Sequence, residues 1–462
     1  MKQIIIFHEL IISCNLSRSL IYPLMVILSI MNQAQAVREE KHIGSLSVAR
    51  ATAKLGSDLF KIITKEKHND NIVISPLSIH ITLQIVMRGA DIESQTYKEM
   101  EKYFEYDESL RGTDKIHETM DMLIKGLGPE SLEGRIVHDA EENSRRPKAP
   151  TRLKIANVLL SRKHLGLLKD FKDSVSKYYD MKFDSFDASE ANCIPNLYKD
   201  VNDWVSNKTE KTIKHILDEN EISADTISVL MNAVYLRGEW MYPFHSAGSE
   251  TFYNYGKKSD TIKTPFMYEE RYYSYLDLRH NTGQSAYESK DQLDYSLDCQ
   301  VLSVPIDENG LSMIILLPDK LDGLSKFYDV RISRVMEQMR QSGNDTKVHL
   351  RLPKFSLDAK YDVKKYLDQL GMRKLVSHEP ELYRMFDGAN VEIDGIKHKA
   401  KINVTETGVE ASAATAQTIL LLSLPVGPAV KPIPFVADHP FMFAIVNSKY
   451  EVPLFMGQVV TL

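Results

Sequence analysis

Cysteine is scarce: three in 462 residues, Cys14, Cys193 and Cys299, with no C-x-x-C pair. That removes a disulfide scaffold, a zinc-ribbon site and a thioredoxin-like redox motif. Glycine and proline together are few, 21 and 18, which removes collagen and long low-complexity stretches. No sign of charge dominates, with 57 Lys+Arg against 63 Asp+Glu and a net charge of −6, so a strongly basic nucleic-acid binder is excluded. No G-x-S-x-G, H-E-x-x-H or P-loop occurs, so hydrolase chemistry has no anchor. The apolar run Leu20–Ile30 is too short to cross a bilayer well.

What is present reads differently. The run Leu20–Ile30 follows a segment carrying Lys2, Glu9 and Arg18 and ends before Ala34-x-Ala36, a small-x-small cleavage pattern. Residues 1–36 are therefore expected to be a secretory signal peptide, and 37–462 the mature chain. Cys14 leaves with the signal. Cys193 and Cys299 remain, and spacing leaves open whether they pair. Asn207, Asn344 and Asn403 each begin a glycosylation sequon.

Helical spacing predicts helices over 47–65, 168–179, 197–217 and 363–370. Apolar runs predict strands over 71–74, 155–160, 227–236, 312–317, 400–404, 441–446 and 452–460. Ser75 reads as a helix N-cap and Pro76 as the first helical residue. Helices and strands mix without a βαβ rhythm, so the fold class is α+β. Polar stretches at 126–151 and 279–296 read as solvent loops.

Residues 406–418 (ETGVEASAATAQT) are small and weakly polar. Read with period two, Val409, Ala411, Ala413 and Thr415 form an uncharged face, and Glu410, Ser412, Ala414 and Ala416 the other. A strand that must enter the middle of a packed sheet needs such a face, because an inward charge would be buried unpaired. After the apolar tip at 419–424, Pro425, Pro428, Pro432 and Pro434 make a poor central strand.

The stretches NIVISPLSI (71–79), NDWV (202–205), LMNAVYLRGEW (230–240), LPKF (352–355), HKA (398–400), ETG (406–408), ADHPF (437–441) and PLFMG (453–457) occur in an order that resembles the serpin family. The likeness covers nearly all of 37–462 as a single domain. It implies three β-sheets, about nine helices and an exposed reactive-centre loop at 406–434. It implies suicide inhibition of a serine protease: the protease acylates itself on the loop, which then inserts into the main sheet. The chain itself then supplies no catalytic group and needs no cofactor or metal.

The resemblance also implies residue roles. Glu406, Gly408, Val409, Glu410, Ala411, Ser412, Ala413 and Ala414 form the hinge. At the family's customary distance after the hinge glycine stands Leu422, so the reactive bond is expected at Leu422–Ser423, with Leu420 and Leu421 as alternatives. A leucine there implies a chymotrypsin-like or elastase-like protease. Ser75, Asn232 and His398 match a polar cluster beneath the opening sheet. Trp240, Lys354 and Glu406 match its upper end, where a Lys354–Glu406 ion pair is expected to hold the sheet shut. Arg145, Arg146 and Lys148, near Arg152 and Lys154, are a candidate polyanion patch. The segment at 435–441 looks like that of arthropod serpins, which restrain extracellular, including immune, proteolytic cascades. Nucleic-acid and membrane partners are not expected, and the chain is expected to be a monomer.

Overall fold

The computed structural model describes residues 43–462 except 113, 128–150, 188, 191–192, 219, 224, 280–296, 388–390 and 410–429. Helix α1 (43–66) buries Leu55, Leu59 and Ile63, as its 3.6-residue spacing requires. Strand β1 (Ile72–Ile74) then stops at Ser75, whose hydroxyl accepts the Ser78 N–H at 3.3 Å. With Pro76 in the first turn this caps α2 (Pro76–Gly89), a helix in which every residue but Arg88 is buried. The remaining helices are α3 (Gln95–Phe104), α4 (Lys115–Leu127), α5 (Lys169–Tyr179), α6 (Cys193–Lys208), α7 (Ile332–Ser342), and the short α8 (Lys364–Leu367) and α9 (Arg373–Val376).

The strands run β2 (Arg152–Arg162), β3 (Met181–Phe186), β4 (Ser228–Glu239), β5 (His245–Tyr253), β6 (Thr261–Asp277), β7 (Cys299–Pro305), β8 (Leu311–Pro318), β9 (Asn344–Pro353), β10 (Phe355–Asp362), β11 (Gly395–Val404), β12 (Gly408–Val409), β13 (Ile433–Val436), β14 (Phe441–Asn447) and β15 (Val452–Val459). One sheet has the order β10-β11-β12-β4-β2-β3. The other follows β1-β15-β14-β8-β7-β6-β9-β13, with β5 paired to β6. The α+β class stands. The three sheets implied by the resemblance are two continuous hydrogen-bonded bands among the described residues, because β6 is 17 residues long and serves two neighbourhoods. Along one edge residues 261–268 pair with β5 and 274–277 with β7, and along the other residues 266–275 pair with β9.

Strands β14 and β15 are buried at every position, as central strands covered on both faces are. Pro434 lies in β13, an edge strand, where a missing donor costs least. The six-stranded sheet has two faces. Val234, Leu236, Ile402 and Val404 join the main core behind it, whereas Val229, Met231 and Ala233 pack with α6 in front.

Two helices are shorter than their periodicity predicts. The helix expected over 197–217 ends at Lys208, where Glu210 and Lys211 take left-handed φ values of 50° and 65°. The apolar Ile213, Ile216 and Leu217 belong to a loop folded back beside α6, with the Ile216 and Leu217 N–H groups donating to Asn202 Oδ1 at 2.8 and 3.1 Å. The 363–370 helix is reduced to the single turn α8. The interruption expected at 126–151 begins later than its composition suggests, since Gly126 and Leu127 complete α4.

Candidate functional site

The site is a seam. Strands β4 and β11 pair in parallel from Val229↔Gly395 to Tyr235↔Lys401, then diverge. Into the gap comes β12, antiparallel to both, with Gly408 beside Glu239 and Val409 beside Gly238 and Val404. Val409 is fully buried, which its small, uncharged side chain permits. Gly408 is required by close approach: a Cβ there would stand 2.1 Å from the Gly238 carbonyl oxygen and 2.7 Å from Glu239 Cα.

Three consecutive carbonyls in the turn before β12 are held. Trp240 Nε1–H donates to Thr405 at 2.8 Å, the Phe244 N–H to Glu406 at 2.9 Å and the Trp240 N–H to Thr407 at 3.1 Å. Thr405 and Gly408 exchange backbone hydrogen bonds at 3.0 and 3.3 Å, closing the turn. The Trp240 ring is fully buried and meets Phe244 edge-on, 5.5 Å between centroids. Lys354 Nζ lies 3.0 Å from Glu406 Oε1, with the two side chains 34% and 27% exposed. The expected ion pair is present.

The middle of the seam is a row of side chains laid straight across the sheet. Backbone register sets Asn157 beside Asn232 and Asn232 beside His398. His398 Nε2 accepts the Ser75 N–H at 3.1 Å, so Nδ1 carries the proton and donates to Asn232 Oδ1 at 3.0 Å. Ser78 Oγ–H donates to the same oxygen at 2.7 Å. Asn232 Nδ2 donates to Asn157 Oδ1 at 2.8 Å, and Asn157 Nδ2 to the Tyr179 carbonyl at 3.2 Å. All four side chains, of Asn157, Asn232, Ser78 and His398, are buried, and burial pulls His398 down to about 3, so the row is neutral at physiological pH.

Ser75, Asn232 and His398 are thus brought together, although Ser75 contributes its backbone N–H and uses its hydroxyl to cap α2. Ser78 and Asn157 complete the row and were not foreseen. An asparagine within each of the otherwise apolar stretches of β2 and β4 hinted at Asn157, whereas Ser78 stands on α2. The hinge residues Glu410, Ala411, Ser412, Ala413 and Ala414, the bond Leu422–Ser423 with its alternatives Leu420 and Leu421, and Arg145, Arg146 and Lys148 lie outside the described residues. Arg152, near the last cluster, is committed to Glu210 at 2.8 Å.

Asn207 and Asn344 are exposed, and Asn403 is partly covered. Cys193 and Cys299 are both free. Cys193 Sγ accepts the Asp187 N–H at 3.3 Å, and burial pushes the Cys299 thiol up to about 12. Among the described residues no helix is long and apolar enough to cross a membrane, and no cluster of His, Cys, Asp or Glu is arranged to hold a metal.

A family model described as serpin, a serine protease inhibitor, matches residues 50–462. Serpin B4 of Homo sapiens is 30% identical over 417 residues, covering 89% of this chain and 98% of that protein. The leukocyte elastase inhibitor of Equus caballus is 29% identical over 421 residues, with the same coverages. An arthropod relative, Iripin-8 of Ixodes ricinus, is 27% identical and covers 92% of this chain and 96% of that one. Among solved structures, Serpin48 of the insect Tenebrio molitor matches 90% of this chain and 98% of its own with a TM-score of 0.67 at 24% identity. Uncleaved ovalbumin matches 90% and 100% with a TM-score of 0.72 at 20% identity. The last two speak for the fold. The ordered motifs, the sheets and the matched span agree: the chain belongs to the serpin family, whose members are in general inhibitors of serine proteases rather than enzymes.

Proposed function

We propose that this serpin is inhibitory and acts as a suicide substrate, trapping a chymotrypsin-like or elastase-like protease. The observation that carries the reading is β12: two residues of the loop already sit between β4 and β11, directly above strands that pair with each other. Cleavage of the loop frees the segment after Val409 to lengthen β12 down the seam. Each added residue gains backbone hydrogen bonds on both sides. Continued in the same register, Glu410 comes beside Arg237 and Ala411 beside Leu236. The face of Val409, Ala411, Ala413 and Thr415 then turns to the core, and that of Glu410, Ser412 and Ala414 to the front. The core face is the one without charge, as insertion demands.

The protease serine, acylated at Leu422 with Ser423 as the new N-terminus, is carried along, and its site is distorted before water can deacylate it. Leu422 suits an apolar primary pocket, and one relative is named for elastase. The signal-like segment 1–36 supports secretion of a single-domain 37–462 chain that acts as a monomer. Secretion and the arthropod relative together support a role in restraining an extracellular immune protease cascade. The exposed Asn207 and Asn344 would then be open to glycosylation, and Arg145, Arg146 and Lys148 would offer polyanions a basic patch.

The test is to mix the mature chain with chymotrypsin and, separately, with elastase, and to run denaturing gels. An SDS-resistant complex with a released fragment beginning at Ser423 is expected. Rapid cleavage without a complex by both enzymes would overturn the inhibitory reading for this protease class.

A further inference from the structure

Beside the seam, the front face of the six-stranded sheet carries a groove of about 630 Å³, walled by Tyr235 and Arg237 of β4, Lys399 and Lys401 of β11, and the segment after α6. Lys211 and Lys214 complete a ring of five cations around it. The groove's own carboxylates are already engaged. Glu210 is held by Arg152 at 2.8 Å, and Asp358 by Lys399 at 3.4 Å. Lys401 Nζ reaches the Thr212 carbonyl at 3.4 Å. Glu239, two residues along β4 from Arg237, does not line the groove. Arg237 Nε is buried with no hydrogen-bond partner among the described residues. A desolvated guanidinium N–H without an acceptor is costly, and like charges gathered in one groove repel.

We infer that this groove binds a small multivalent oxoanion, a phosphate or sulfate ester, with Arg237 as its bidentate anchor and Lys401 and the lysines of the 211–214 segment as neutralising charges. The planar guanidinium fork matches such an oxoanion, and the lysines supply point charges around it. The ligand spans the seam, because Lys401 is paired in register with Tyr235, one same-face step from Arg237. A strand entering between β4 and β11 would move them from about 4.8 Å to about 9.6 Å apart and bring Glu410 to Arg237. The bound anion therefore favours the closed sheet and, by linkage, opposes insertion. That consequence rests on the inhibitory reading proposed above; the site itself does not.

The experiment is a calorimetric titration of the uncleaved full chain with inorganic pyrophosphate at low salt, with a sulfated disaccharide in parallel to separate phosphate from sulfate sources. One saturable site is expected with at least one of the two ligands. Its affinity should fall about tenfold in Lys401→Gln, the loss of one charge-assisted hydrogen bond, and about a hundredfold in Arg237→Gln, the loss of two. Arg50→Gln, remote from the groove, should leave it unchanged. Absence of saturable binding by both ligands, or binding that both groove variants leave intact, overturns the site. In a second arm, bound ligand should slow protease trapping several-fold in the wild type and not in Arg237→Gln. Unchanged trapping at saturation overturns the coupling. Failure to trap any protease without ligand strikes the inhibitory reading alone, since the titration still decides the site.

Discussion

The seam between β4 and β11 is closed by unlike chemistry at its two levels. In the middle, His398, Asn232, Ser78 and Asn157 form a dry, uncharged chain in which Asn232 Oδ1 accepts two donors. At the upper end, Lys354 and Glu406 are each about one-third exposed, and backbone carbonyls take most of the load. A buried hydrogen bond is expensive to leave half-made, whereas a solvated ion pair contributes little. The difference predicts that the upper end opens first and that the middle sets the barrier. The order suits a loop that enters from above, since β12 is already there.

The largest expected effect tests whether the seam is an entry path at all. Ala411→Arg would drive a charge into the core side of the inserting strand, at a cost of several kcal/mol. Complexes with the target protease should disappear while loop cleavage continues at an undiminished rate. Undiminished complex formation would remove the seam from the mechanism.

Next comes the middle of the seam. Asn232→Ala strands the Ser78 hydroxyl, the His398 Nδ1–H and Asn157 Oδ1 in a buried space. The expected loss is about 3 kcal/mol of unfolding free energy in urea. A loss under about 1 kcal/mol would mean that the row is decoration and that opening is governed elsewhere.

The same row carries a pH signature. His398 is held near 3 by burial, below the ordinary value of 6.5, so the unfolded chain takes the proton first. Stability from this group is intact above pH 6.5 and is lost as pH falls from 6.5 toward 3. His80 and His117, depressed to about 3 and about 4 by burial, add in the same direction. Comparing urea unfolding at pH 7.5 and 5.0, His398→Gln should lose about 2 kcal/mol less than the wild type. Equal pH dependence in the two proteins would show that His398 is already charged in the fold.

Much of this contrast was legible beforehand, for particular reasons. Ser75 and Pro76 announce a helix start by local chemistry alone; of the uncharged face read after Gly408, only Val409 falls within the described residues, and it is buried. The Lys354–Glu406 pair came through ordered motifs rather than through spacing. Asn157 escaped because its meeting with Asn232 depends on strand register across distant segments, and Ser78 because it depends on how α2 packs behind β4; no local pattern encodes either. The 209–217 segment misled because Ile213, Ile216 and Leu217 are spaced as on a helix but pack as a folded-back loop. The basic groove was invisible for the same reason as the row: its cations come from three separated stretches.

The smaller effects belong to the upper end. Trp240→Phe keeps most of the ring but removes the donor to the Thr405 carbonyl, for an expected loss of about 1 kcal/mol and earlier thermal opening of the turn. Lys354→Ala removes an ion pair that is one-third exposed on both sides, so the expected loss is only about 0.5 kcal/mol, and 0.5 M salt should erase most of it. A double-mutant cycle with Glu406→Gln separates the pair from the surrounding packing. A coupling energy of about 2 kcal/mol or more, insensitive to salt, would mean that the pair is as dry as the row beneath it, and the two levels of the seam would then have to be read as one lock.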